Sequence, residues 1–292
     1  MVVTAAMVKI LRDRTGAGML DCKKALEETN GDIELAIDYL REKGIAKAAK
    51  KADRVAAEGL TNVVTKGDVA YVYEINSETD FVAKNNQFLA LLDTIGDILI
   101  ASKVKNTEES LTLVSNGKDI PTILAEATAT IGEKLTLRRV MRVEKQATQG
   151  FGAYRHMGGK ISVLTVLAKD DVEVAKDVAM HVAANNPQFL NRDAVDPDTI
   201  AREKKVLTEQ ALAEGKPANI VEKMIVGRLN KFLQEICLVD QPFVKDPDMT
   251  VAQYLASKGN DVLEFIRLEV GEGIEKLEVD FAAEVAAQLG NK

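Results

Sequence analysis

Residues 74–84 read Glu-Ile-Asn-Ser-Glu-Thr-Asp-Phe-Val-Ala-Lys and set an acid, Asp80, beside a large apolar ring, Phe81. Such a pair is suited to pressing on another molecule, not to making or breaking a covalent bond. The residue types that carry covalent or metal chemistry are sparse elsewhere. Only two histidines occur, His156 and His181, and nothing at ligand spacing completes a metal site around them. Cys22 and Cys237 form no spacing motif and read as ordinary thiols of a reducing compartment. Gly16 and Gly18 fall between helical patterns, not behind a strand. Gly271-Glu272-Gly273 follows a strand, but its acid would repel phosphate, so no phosphate loop is expected. No serine or cysteine has a recognisable nucleophile setting. These residues predict no enzyme, no cofactor and no metal.

Both members of the acid–ring pair have plainer readings. Asp80 could cap the helix that follows it, and Phe81 could be a first-turn core residue of that helix. His181 lies beside an apolar helix face and reads as a core histidine. His156, in Tyr154-Arg155-His156-Met157-Gly158-Gly159, reads as a residue of a glycine-bounded surface loop.

The elements that must position the pair follow from apolar periodicity. A β-prone strand, Val69 to Ile75, stops at the polar corner. It is preceded by a hairpin turn at Gly67-Asp68. A helix from about Asn86 to Ser102 follows, with Phe88, Leu91, Leu92, Ile95, Ile98 and Leu99 on one face. A second helix, Ile120 to Ile131, opens with Pro121 in its first turn. Strands are expected at Lys134–Val143 and Ile161–Ala168, with a helix at Val172–Ala184. The order strand, strand, helix thus occurs twice, which makes a duplicated α+β core plausible. Residues 197–234 read as an αα-hairpin turning at Gly215-Lys216-Pro217. Its apolar face could pack on the core or support self-association. A helix near Val251–Ser257, a strand at Val262–Val270 and a last helix striped with Phe281, Val285 and Leu289 complete the pattern.

The first 57 residues read as three short helices, with Asn30-Gly31 ending the second, Asp32 capping the third and Gly44 closing it. The basic run Arg41 to Arg54 has six cations and two acids and reads as a solvated helical connector. The whole chain of 292 residues carries a net charge of −7, which argues against direct nucleic-acid binding. No run of about 18 apolar residues occurs, so no membrane span is expected. The N-terminus has no secretory pattern, and a cytoplasmic location is expected.

Two segments carry a family resemblance. Leu11 to Leu26 (Leu-Arg-Asp-Arg-Thr-Gly-Ala-Gly-Met-Leu-Asp-Cys-Lys-Lys-Ala-Leu) and Glu74 to Lys84 resemble translation elongation factor Ts, the nucleotide-exchange factor of the GTPase EF-Tu. Met180-His181-Val182-Ala183-Ala184, Gln241-Pro242-Phe243-Val244 and Val270 to Lys276 are similar as well, so the resemblance covers essentially the whole chain. The Gln146 to Phe151 region is slightly longer than the family pattern.

The resemblance implies an α+β fold in several parts. Residues 1–57 would form a three-helix module like a ubiquitin-associated domain with its connector. A duplicated α+β core with antiparallel sheets would occupy 58–143, then 144–196 with 235–271. A helical coiled-coil hairpin is inserted at 197–234, and a C-terminal helical module takes 272–292. It further implies that Thr79, Asp80, Phe81 and Val82 bind EF-Tu near its nucleotide-bound Mg²⁺, the ring parting two helices there, so that GDP leaves. Lys23 and His156 are further candidate contacts to EF-Tu. A rival reading is an adaptor without exchange activity, whose N-terminal helices dock a helix or a ubiquitin-like surface.

Overall fold

The computed structural model describes residues 3–215 and 217–275. The expected final helix, with Phe281, Val285 and Leu289, lies outside the described residues. The chain is a mixture of helices and antiparallel sheet, the α+β class. Three helices come first: α1 (Ala5–Thr15), α2 (Met19–Glu28) and α3 (Ile33–Ala49). Strands β1 (Glu58–Lys66) and β2 (Val69–Ser77) lead to the one-turn α4 (Asp80–Ala83), α5 (Asn86–Ile100) and the short α6 (Thr107–Ser110). A two-residue ladder of β3 (Val114–Ser115) with β4 (Lys118–Asp119) precedes α7 (Ile120–Ile131) and β5 (Thr136–Glu144). Then come β6 (Gly150–His156), β7 (Ile161–Leu167), α8 (Val172–Asn185), α9 (Pro197–Ala213) and α10 (Ala218–Ile236). The chain continues through β8 (Pro242–Phe243), β9 (Asp246–Thr250), α11 (Val251–Ser257) and β10 (Val262–Glu269).

The two larger sheets have the orders β1-β2-β5 and β10-β7-β6. In each, the second strand of a hairpin lies in the middle. The described residues divide into two compact units, 3–61, 73–141 and 269–275 in one, 62–72 and 142–268 in the other. The division falls within β1, β2 and β5, and one residue before the end of β10.

In the first unit, α1 to α3 enclose a small core of Val8, Leu11, Cys22, Ala25, Leu26 and Ala36. Two of their ends follow the sequence signals. Gly16 closes α1 in the left-handed region at φ 67°, and the Asp32 carboxylate caps α3 by accepting from the Leu35 N–H. Gly44 does not end α3; the helix runs on to Ala49. The reason is packing. A Cβ on Gly44 would stand 3.0 Å from that of Ala129 on α7, so glycine permits a close helix crossing here. Arg41 pairs with Glu126 of α7 at 3.3 Å, so the start of the basic run is docked as well as solvated.

The second unit is built on α8, which lays Val174, Ala175, Val178, Ala179 and Val182 against β6 and β7. Strand β6 pairs antiparallel with β7 along its full length, from Gly150 opposite Leu167 to His156 opposite Ile161. The sequence reading named no strand here, and placed only residues 154–159 of this region, in a loop. Gly152 has a tertiary role: a Cβ there would lie 2.2 Å from the Ala175 carbonyl oxygen of α8. His156 is accordingly the last residue of a strand and not part of a glycine-bounded loop. Between α9 and α10, Ala211, Val221 and Ile225 are buried together, whereas Val206, Leu212, Ile220 and Val226 remain exposed.

Candidate functional site

The corner after β2 is built from local bonds and one remote residue. The Ser77 hydroxyl donates to the Thr79 carbonyl at 2.9 Å. Thr79 is extended (φ −124°, ψ 158°) and caps α4, its hydroxyl accepting from the Val82 N–H at 3.5 Å. Asp80 therefore occupies the first helical position, and Thr79 takes the cap that the sequence offered to Asp80. Behind the turn, Asn85 caps α5 by accepting from the Gln87 N–H at 2.7 Å. Val82 and Ala83 are buried and root the turn in the unit.

Phe81 points away from that root and is 79% exposed. It is thus not a first-turn core residue. An exposed phenylalanine on a fixed mount holds unspent apolar area; burying it on a partner would contribute about 1.5–3 kcal/mol. The Asp80 carboxylate lies 2.8 Å from the Lys84 ammonium, one turn on. Both ends are exposed, so the pair adds little stability and leaves the acid open to exchange partners.

The remote residue is Glu133. Its carboxylate accepts from the Thr79 hydroxyl at 2.6 Å and from the Thr79 N–H at 2.9 Å. Its neighbour returns the contact, the Lys134 N–H donating to the Glu78 carboxylate at 2.7 Å. Arg54 holds the same Glu78 carboxylate at 3.2 Å.

Glu74, on β2 before the corner, is fully buried. Its carboxylate receives Arg138 at 3.3 Å, the Arg139 guanidinium, the Asn76 amide at 2.8 Å and the Gly271 N–H at 2.8 Å. A buried carboxylate persists only when paired and hydrogen-bonded in this way. Gly271 is suited to its post. At φ 74°, a Cβ would stand 2.1 Å from the Ala57 carbonyl oxygen. Sequence reasoning missed this knot; the signal that points to it is the Arg138-Arg139 doublet beside the apolar Leu137 and Val140 of one strand.

The remaining candidates are separate elements. Lys23 is exposed on α2, 3.7 Å from Glu27. His156 belongs to the other compact unit, with its Nδ1 3.2 Å from the Tyr154 hydroxyl. His181 is fully buried, as its apolar helix face indicated. The Val244 N–H donates to its Nδ1 at 3.1 Å, and its Nε2 lies 2.8 Å from the Gln241 side-chain oxygen. The Gln241 amide nitrogen is itself bound to the Glu235 carbonyl, which fixes its oxygen toward the ring. Burial lowers the His181 pKa. Cys22 and Cys237 are buried free thiols, and burial pushes both upward, away from the thiolate that a nucleophile needs. Among the described residues, no group of three His, Cys, Asp or Glu could hold a metal ion. No described helix is long and apolar enough to cross a membrane.

Fold and corner define an α+β protein that presents a short, fixed acid–ring edge to its surroundings. A family model described as Elongation factor TS matches residues 78–272, a span that begins at the corner. The Elongation factor Ts of Acholeplasma laidlawii (strain PG-8A) is 61% identical over 294 residues, covering 99% of each chain. The chain belongs to the elongation factor Ts family.

Proposed function

We infer that this chain is the guanine-nucleotide exchange factor of translation elongation and acts on the GTPase EF-Tu. The observation that carries the reading is Phe81, 79% exposed on a corner held by Thr79, Val82 and Glu133. Docking would insert Asp80 and Phe81 near the partner's nucleotide-bound Mg²⁺, with Thr79 and Val82 as their mount. Mg²⁺ demands near-ideal octahedral geometry, so a small displacement of its ligands weakens its hold on the phosphates. The factor performs no bond-making. It must bind the empty GTPase more tightly than the loaded one, and linkage then weakens nucleotide by the same factor.

Magnitudes bound the ring's share. Each tenfold loosening of GDP needs about 1.4 kcal/mol of differential binding. Phe81 alone supplies one to two decades at about 1.5–3 kcal/mol. Anything larger requires further contacts, for which Lys23 and His156 are candidates. The deciding experiment follows release of labelled GDP from EF-Tu with and without the full chain. Acceleration at substoichiometric amounts is expected. An unchanged release rate, with a stable complex still formed, would instead support an adaptor without exchange activity.

A further inference from the structure

We propose that Glu133 is the positioning residue of the exchange edge, fixing the bearing of Phe81 through Thr79. The proposal rests on the exchange reading of the corner.

Left to itself, α4 could not hold the ring outward. It is a single turn of four residues, and a helix of one turn has no stability of its own in water. Its cap is weak, because the Thr79 hydroxyl stands 3.5 Å from the Val82 N–H. An exposed phenylalanine also gains by folding back onto apolar surface. Glu133 counters both tendencies from 54 residues away. Its two oxygens take the backbone N–H and the hydroxyl of Thr79, which sits two residues before the ring. Hydrogen bonds to a charged acceptor are shorter and stronger than neutral ones, and two of them fix orientation as well as distance.

Glu133 is anchored in turn. Gly132 closes α7 in the left-handed region at φ 95°, its N–H donating to the Thr128 carbonyl at 2.9 Å. The Thr128 hydroxyl accepts from the Leu135 N–H at 3.1 Å, so the loop is pinned on both sides of Glu133. Lys134 donates its backbone N–H to Glu78 and its ammonium to the Arg54 carbonyl at 2.9 Å. Lys51 reaches the Gly132 carbonyl from the same connector. Residues 78–79 and 133–134 thus grip each other reciprocally, carboxylate to amide in both directions.

The test is labelled GDP release from EF-Tu as a function of exchange-factor concentration, using full-length variants. Glu133→Ala orphans both Thr79 donors. It is expected to lower the maximal rate about tenfold while the half-saturating concentration stays within about threefold, the signature of lost positioning. Glu133→Gln keeps an oxygen for the Thr79 N–H and brings an amide N–H that can donate to the Thr79 hydroxyl oxygen, reversing that bond, and should recover to within about threefold of wild type. Adding Phe81→Ala to Glu133→Ala should cost less than about twofold beyond Phe81→Ala alone, because one acts through the other. Should Glu133→Ala fail to fold, Thr79→Val against Thr79→Ser asks the same question, with Ser expected near wild type and Val slow.

Three results would overturn the clamp. One is a wild-type maximal rate for Glu133→Ala or Thr79→Val beside a slow Phe81→Ala, which spares the exchange reading. Another is Glu133→Gln as slow as the alanine, since the oxygen retained for the Thr79 N–H would then position nothing. The last is a Phe81→Ala that exchanges normally, which refutes the reading of the corner and the clamp with it.

Discussion

Phe81 stands 79% exposed on a one-turn helix in one compact unit. Phe243, in the other, is almost wholly buried, stacked on Tyr254 with ring centroids 4.1 Å apart and on His181 at 5.9 Å. Beside Phe243, His181 is bonded to Gln241 and to the Val244 N–H. Tyr254 donates to Asp177 at 3.0 Å, and burial pushes its own pKa up to about 12. Around Phe81 the backbone is bonded, its carbonyl accepting from the Lys84 N–H at 3.2 Å, but the ring itself is left exposed. One ring thus contributes its area to folding, whereas the other leaves its area exposed. The same side chain is a core residue or a surface residue according to whether its own unit covers the ring.

Removing each ring separates the two values most sharply. Phe243→Ala should destabilise the protein by about 3–5 kcal/mol, because the cavity cannot collapse among so many neighbours. Chemical denaturation measures it; a loss below about 1 kcal/mol would mean that the site relaxes freely. Phe81→Ala should leave the denaturation midpoint within about 0.5 kcal/mol of wild type, as exposed positions do. It should instead slow GDP release from EF-Tu at least about tenfold, roughly 1.4 kcal/mol of barrier. Release at the wild-type rate, with normal complex formation, removes the ring from the mechanism.

A smaller contrast concerns pH. His181 is satisfied as the neutral ring, with Nε2–H facing the Gln241 oxygen and Nδ1 accepting from Val244. Protonation would set a second N–H against the Val244 N–H. With the folded pKa lowered, the unfolded chain binds the extra proton more readily. His181 therefore contributes its full stability above about pH 6.5, the unfolded value, and loses it as pH falls through the folded pKa. Melting at pH 7.5 and 5.5 should show wild type falling further than His181→Gln; parallel losses would contradict this. The smallest effect expected is at Lys23, whose pairing with Glu27 is exposed at both ends. Lys23→Ala should weaken association with EF-Tu about twofold at low salt and less at high salt. No change at low salt would take Lys23 off the contact surface.

Much of this was legible in the sequence. The end of α1, the start of α3, the Pro121 start of α7 and the turn at Gly67-Asp68 follow from local chemistry, and the apolar faces of α5 and α8 from periodicity. One reading failed, Gly44 as the end of α3, and two features went unread, all for one kind of reason. Gly44 stays within α3, Gly152 sits in a strand, and Glu74 is buried, each because of a neighbour remote in the chain. Glycine signals a break when only its backbone freedom is considered; here it also marks where α7 or α8 comes close.

By itself, the sequence determined the succession of elements and put an acid and a ring at the end of β2, since capping and apolar spacing act within a few residues. The tertiary structure alone decided that Thr79 and not Asp80 is the cap, that Phe81 faces outward, and that Glu74 and Glu133 meet their partners. Those contacts join residues 54 to 197 positions apart, from Thr79 with Glu133 to Glu74 with Gly271. Local periodicity records which face of an element is apolar; it carries no information about which distant group will answer a buried carboxylate.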